Sequence, residues 1–174
     1  MNTKERLIIA FKGLSLGLHE FEFSLSDDFF QSIDYSEFQK GKATTKIQLT
    51  KRPQYLEMVI DIDGEVEVTC DRCLENFFMP FEYSGKLYVK FNEEIEDVKI
   101  IDELIVISPA DSEVDLTHYV YESICLSIPY QRIHPKVKGK NTCNKDMLKY
   151  FKELAAQGDN SEETDPRWDK LKNL

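Results

Sequence analysis

The sequence has no long apolar run. In its 174 residues, no apolar stretch comes near the length of roughly 18 consecutive residues that is needed to span a bilayer. The apolar stretch near the start, Leu7 to Phe11, is short and lacks a small-residue cleavage site, so we predict no signal peptide. We therefore expect a cytoplasmic protein with no membrane partner. Thiols stay reduced there, so the four cysteines are expected to be metal ligands, catalytic groups or small core residues.

The sequence also lacks the short motifs that carry catalysis. It contains neither a Gly-rich phosphate loop nor a nucleophile elbow, and its three histidines are scattered. We predict that the protein is not an enzyme and has no small-molecule substrate. A thiol-dependent enzyme is the less favoured alternative, because a cysteine and a histidine can meet in space without a local signature.

Positive charge is scarce overall but concentrated in one segment. The net charge of -10 argues against a surface that binds nucleic acid everywhere. Residues 132–152 nevertheless carry seven Lys/Arg and one Asp, which is 7 − 1 = +6. Such a segment is either a binding face for phosphates or a solvated connection followed by the polar side of a helix.

Alternating apolar and polar residues dominate the first two thirds of the chain. Even positions are mostly apolar in residues 55–70, and odd positions are mostly apolar in residues 77–91. This period of two predicts two strands joined by about six residues, an antiparallel hairpin over about 55–91. Gly64 predicts a bend or bulge. Pro80 cannot donate a ladder hydrogen bond, so we expect an edge or a bulge there.

Helical patterns follow the strands. Residues 115–129 and 144–156 carry apolar residues at helical spacing, with Asp115 as the predicted N-cap of the first helix. Strands followed by helices predict an α+β fold, a mostly antiparallel β-sheet with two or three packed helices. We predict a single domain over 1–156, a flexible linker over 157–164, and a short C-terminal helix or tail over 165–174.

Cys70 and Cys73 form a C-x-x-C pair at the tip of the predicted hairpin. Zinc needs four ligands, and the sequence contains no second C-x-x-C. His134 and Cys143 are the nearest candidates to complete a Cys₃His set that would hold a structural zinc. One alternative is a metal-free turn that presents Arg72. The other is a redox pair, which usually lies at a helix N-terminus.

Four segments carry a resemblance to a known family. They are VTCDRCLENF (68–77), DLTHYVYESICLSIP (115–129), HPKVKGKNTCN (134–144) and TDPRWDKLKNL (164–174). In this order they resemble the bacterial YceD family, the large ribosomal RNA subunit accumulation proteins. Many members carry a second cysteine pair in the C-terminal third. This chain has only Cys143 there, with His134 upstream, which shifts a zinc site to the Cys₃His set.

The resemblance implies a non-enzymatic role in ribosome assembly, with ribosomal RNA or a large-subunit precursor as partner. The alternative is a protein-interaction module whose acidic surface holds a basic ribosomal protein. Trp168 would dock on a partner or pack back on its own domain. The candidate contacts to RNA or to a partner are Arg72, Arg132, Lys136, Lys138, Lys140, Lys145, Arg167 and Trp168.

Overall fold

The fold is taken from a computed structural model, in which residues 6–91, 99–101, 103–137 and 140–158 are described. These residues form ten strands and three helices. In chain order they are β1 (Ile8–Ile9), β2 (Gly17–Leu25), α1 (Asp27–Gln31), β3 (Gly41–Lys51), β4 (Tyr55–Thr69), β5 (Asn76–Phe91), β6 (Lys99–Ile101), β7 (Leu104–Ile107), β8 (Val114–Asp115), α2 (Thr117–Ser127), β9 (Lys136–Val137), β10 (Lys140–Asn141) and α3 (Lys145–Gly158).

The chain divides into two units. We call residues 1–68 with 76–132 the sheet unit, and residues 69–75 with 133–174 the knuckle unit. The predicted linker (157–164) and tail (165–174) lie outside the described residues, except that α3 includes the first two linker positions. The predicted domain boundaries therefore stay a prediction.

A six-stranded sheet forms the sheet unit, in the order β2-β3-β4-β5-β7-β6. The pairs β2–β3, β3–β4 and β6–β7 are antiparallel, whereas β5 and β7 are parallel. Neighbouring β4 and β5 are joined by residues 70–75, a connection too short for the crossover of parallel neighbours. The predicted α+β fold and its long hairpin are confirmed. The parallel pairing of β5 with β7 was not predicted from the sequence.

One apolar core lies under the sheet. The alternation of β4 buries its even positions, from Leu56 to Val68, apart from the half-buried Gly64. Val120 and Ile124 of α2 are fully buried in the same core. The prediction of Asp115 as N-cap of α2 is wrong by one residue: the N-cap is Leu116, which makes no side-chain capping hydrogen bond, because Asp115 still belongs to β8. Asp115 Oδ1 accepts a hydrogen bond from the Thr117 amide at 2.9 Å. No helix in the described ranges is long and apolar enough to cross a membrane.

At Pro80, β5 has a neighbour on one side only among the strands that the structure describes. The strand β7 pairs with Tyr88–Phe91 of β5, at the far end from Pro80. On that side, no described strand needs a backbone hydrogen bond from position 80. This suits proline, which has no N–H to donate.

Gly64 allows β3 and β4 to approach each other closely. The register pairs it with Ala43 and continues through this pair without an inserted residue, so the β3–β4 ladder has no bulge here. A Cβ at position 64 would lie 2.3 Å from the Lys42 carbonyl oxygen and 2.7 Å from the Ala43 Cα. Both obstacles are backbone atoms, which cannot rotate away.

We expect Gly64→Ala to lower the free energy of unfolding by about 1–3 kcal/mol, because the two strands must separate to admit a methyl group. Urea denaturation measures this loss. Gly13→Ala is the matched control, since no atom lies within 4 Å of its Cβ position. Its effect should stay within about 0.5 kcal/mol. Equal losses in the two variants would contradict the close-approach explanation.

Candidate metal centre

A tight turn brings Cys70 and Cys73 together between β4 and β5. The Cys70 amide donates to the Glu75 carbonyl, and the Leu74 amide donates to the Cys70 carbonyl, both at 2.9 Å. Leu74 has the left-handed φ of 61° that this turn requires. Both cysteine side chains are buried, and Arg72 between them is exposed. In this turn the thiols of Cys70 and Cys73 are therefore buried, whereas the side chain of Arg72 is exposed to solvent.

A short ribbon brings His134 and Cys143 together. The strands β9 and β10 pair in antiparallel fashion, which folds the segment back on itself. His134 precedes β9 by two residues, and Cys143 follows β10 by two residues. The Thr142 hydroxyl closes the open end by donating to the Pro135 carbonyl at 2.8 Å. The part of the basic segment interpreted as a solvated connection thus contains a two-stranded ribbon.

Asn144 fixes the start of α3 to the cysteine turn. Its Oδ1 accepts hydrogen bonds from the amides of Asp146 at 2.9 Å and Met147 at 3.2 Å, which caps the helix. Its Nδ2 donates to Glu75 Oε1 at 2.6 Å. The pairing of Asn144 with Glu75 was not predicted from the sequence. An asparagine before a helical pattern signals a cap, but nothing in the sequence points to a partner on the turn.

The turn and the ribbon place four ligand atoms in one cluster. The Sγ atoms of Cys70, Cys73 and Cys143 and a ring nitrogen of His134 all lie within 4.8 Å of one another. Cys70 Sγ is 3.9 Å from Cys143 Sγ, and Cys73 Sγ is 3.4 Å from His134 Nδ1. Tetrahedral zinc with ordinary bond lengths would set these separations at about 3.8 Å and 3.6 Å. The geometry of the predicted Cys₃His set therefore fits a metal ion.

The three cysteines of this cluster form the interior of the knuckle unit. Among the side chains of this unit that the structure describes, only Cys70, Cys73 and Cys143 are buried. His134 is half-buried beside them. A buried set of four protein ligands is typical of structural zinc sites, whereas catalytic zinc keeps a position open to water or substrate.

The protonation of the cysteines also suits a cation. Burial raises the pKa of the Cys70 thiol, but hydrogen bonds, chiefly with the backbone of His134 and Arg72, outweigh burial and lower that pKa to about 6. Burial and the neighbouring Cys70 thiol raise the pKa of Cys143. The lowered pKa of Cys70 favours its thiolate, and the raised pKa of Cys143 favours its thiol unless a cation binds between the two sulfur atoms.

The redox and nucleophile interpretations fit this geometry less well. Cys70 and Cys73 are 0% and 1% exposed, whereas reactive thiols are solvent-accessible. The contact of Cys73 with His134 resembles a thiol–imidazole pair, but both groups belong to the four-ligand cluster.

The predicted cationic contacts fall into three groups. Arg72, Lys136 and Lys145 are exposed on the knuckle unit. Arg132 belongs to the sheet unit, where its Nη2 lies 3.0 Å from Glu37 Oε2 and its guanidinium lies 5.9 Å from the Phe38 ring centroid. Lys140 lies in β10 with its side chain not described, and the positions outside the described residues are Lys138, Arg167 and Trp168.

The surface of α3 adds aromatic groups to these cations. Tyr150 and Phe151 are adjacent, with ring centroids 6.1 Å apart, and are 55% and 38% exposed. Leu154, one turn after Phe151, is 44% exposed and adds apolar surface to the same helix.

The fold and the site together define an α+β protein with a candidate Cys₃His metal centre beside exposed cations. The family model described as Large ribosomal RNA subunit accumulation protein YceD matches residues 58–174, a span that includes all four ligands. The chain belongs to the YceD family, so the resemblance seen in its sequence is confirmed. Searches of curated proteins and of solved structures returned no match.

We expect about one zinc per chain in protein purified without chelators or affinity metal. Cys143→Ser should lose most of this zinc, because it removes one of four ligands. The matched control is Cys125→Ser, which alters a half-buried cysteine of α2 outside the cluster and should keep the zinc. Elemental analysis of folded protein measures the content. Metal-free wild-type protein, or equal loss in both variants, would contradict the proposed site.

Leu74→Gly should raise the free energy of unfolding by up to about 1 kcal/mol, because glycine adopts the left-handed φ without strain. Leu74 is 58% exposed, so little apolar burial is lost. Leu154→Gly, at a residue that is also exposed but lies in α3, should instead lower the free energy of unfolding by about 1 kcal/mol, because glycine disfavours the helix. Denaturant titration of zinc-loaded protein compares the two, and effects of the same sign would count against strain at Leu74.

Proposed function

We propose that this protein is a non-enzymatic ribosome-assembly factor of the bacterial cytoplasm. It promotes accumulation of large-subunit ribosomal RNA by binding that RNA, or a large-subunit precursor, through the knuckle unit. Membership of a family described by large ribosomal RNA subunit accumulation supports the ribosomal role. The observation that carries RNA binding is the exposure of Arg72, Lys136 and Lys145 on a unit built around the ligand cluster.

Arg72 is suited to phosphate because of its position in the turn. It lies between two cysteines whose side chains are buried, so the backbone that carries it is already fixed. An arginine on a rigid support loses less conformational entropy when it binds, and its planar guanidinium can hold a phosphate through two hydrogen bonds. Lys136 and Lys145 add cationic contacts of the same kind.

The aromatic side chains of α3 indicate what kind of RNA fits. Tyr150 and Phe151 are exposed beside the cation Lys152. Single-stranded loops and bulges bind by stacking bases on aromatic rings while cations hold the backbone. We therefore favour an unpaired RNA segment. Lys138, Lys140, Arg167 and Trp168 extend the proposed contacts, on the basis of their charge and of the indole ring.

Zinc has a structural part in this proposal. Cys70, Cys73, His134 and Cys143 would hold it, and the bound ion would fix the turn that carries Arg72 to the ribbon that carries Lys136. The chain itself would supply every group that contacts RNA. Arg132, which already pairs with Glu37, stays a prediction from the sequence alone.

The double variant Arg72→Glu/Lys145→Glu should bind a large-subunit ribosomal RNA fragment at least about tenfold more weakly and show a shallower salt dependence, because two phosphate contacts are lost. The matched control, Lys86→Glu/Lys90→Glu, makes the same charge change at exposed positions of β5. It should bind nearly as well as wild type. Filter binding over a range of salt concentrations measures both, with zinc content as a check on folding.

The same pair of variants tests the cellular role. In a deletion strain, the β5 variant should restore large-subunit RNA in sucrose gradients, and the Arg72/Lys145 variant should not. Normal large-subunit RNA in the deletion strain itself would overturn the proposed function. Equal binding losses in the two variants would overturn the assigned RNA face.

A further inference from the structure

The strand β2 forms an open edge of the six-stranded sheet. Among the described strands only β3 lies beside it, in nine consecutive pairs from Gly17–Lys51 to Leu25–Ala43. The outer side of such a strand presents backbone N–H and C=O groups that another strand can pair with. Natural edges are often blocked by charged side chains, lysine above all, by proline or by a bulge. The β2 sequence GLHEFEFSL has neither lysine nor proline and no bulge in its register, and its charged side chains are Glu20 and Glu22.

The two faces of β2 differ in chemistry. Phe21 and Phe23 lie on the core side, pack against the core and remain half-buried, so part of each ring is still accessible at the edge. Glu20 and Glu22 lie on the other face and are exposed. An added strand would therefore meet apolar surface on one side and carboxylates on the other, at alternate positions.

The carboxylates of β2 are only partly compensated by the neighbouring strand. Glu22 lies opposite Lys46, but Lys46 also lies opposite Asp61 on β4. Glu20 accepts a hydrogen bond from Gln48 Nε2 at 3.4 Å, which brings no positive charge. The solvent-exposed face of β2 therefore keeps an excess of negative charge.

We propose that β2 accepts an extended basic segment of a protein partner as an additional strand. Lysine or arginine at alternate positions of that segment would lie beside Glu20 and Glu22, and the apolar residues between them would cover Phe21 and Phe23. Backbone hydrogen bonds supply the affinity in this mode of binding, and the alternate side chains supply the specificity. This inference goes beyond RNA binding and does not depend on it.

The charges of β2 disfavour other occupants of the edge. Full-length antiparallel pairing with a second copy would set Glu20 opposite Glu22 of that copy, and like charges directly opposite destabilise a strand pair. Nucleic acid would place phosphates against the same carboxylates. A basic extended peptide matches the charge, the alternation and the open backbone together.

The test uses a nine-residue synthetic peptide that alternates lysine and valine, with a glutamate–valine peptide for comparison. The basic peptide should bind and shift the amide resonances of β2, and the acidic one should not. Glu20→Lys/Glu22→Lys should weaken binding of the basic peptide at least about tenfold. The matched control is Asp63→Lys/Glu82→Lys, the same charge change at exposed positions of β4 and β5, and it should weaken binding less than about twofold.

Backbone pairing has its own readout. Two versions of the basic peptide, N-methylated on odd or on even residues, remove hydrogen-bond donors from opposite edges of the added strand. Loss of binding with one version alone supports strand addition, and equal effects overturn it. Equal losses in the two charge variants, or unshifted β2 amides, also overturn it. Analytical sedimentation provides a further check. If the wild-type protein is a dimer and Glu20→Lys/Glu22→Lys changes its dimerisation, a second copy occupies the edge and the proposal is overturned.

Discussion

The knuckle unit depends on the convergence of three thiols and one imidazole. Its described part offers no apolar side chain that is buried, and its interior consists of Cys70, Cys73 and Cys143 beside the half-buried His134. Small units with little apolar surface to bury need another source of cohesion, and metal coordination is a common one. The pKa directions agree, because the pKa of Cys70 is lowered and that of Cys143 is raised by burial and by Cys70, so a cation between the two sulfur atoms would favour both thiolates.

The two units differ in charge as well as in architecture. The knuckle unit has 10 Lys/Arg and 9 Asp/Glu, a net charge of +1, whereas the sheet unit has 12 Lys/Arg and 23 Asp/Glu, a net charge of -11. Exposed cations and aromatic rings on the knuckle unit are suited to RNA, and the acidic edge of the sheet unit is suited to basic protein. A precursor of the large ribosomal subunit contains both kinds of surface.

Much of the fold could be predicted because its signals are local. A period of two over β4 and β5 follows directly from burying one face of each strand, and the helical spacing over 115–129 predicts α2 to within two residues at each end. Strand neighbours further along the chain were not predictable in this way. The parallel pairing of β5 with β7 and the close approach at Gly64 depend on which backbones meet, and side-chain periodicity does not encode that.

The sequence by itself determined the long hairpin, the helices α2 and α3, and half of the site. Cys70 and Cys73 share one turn, so their spacing alone brings two thiols together. His134 and Cys143 were only the nearest candidates, because 61 residues separate Cys73 from His134 and 73 separate Cys70 from Cys143. The tertiary structure decided that they converge, through the β9–β10 ribbon and the hydrogen bond of Asn144 to Glu75. Contacts over such separations arise from the packing of whole elements, which no short pattern in the sequence specifies.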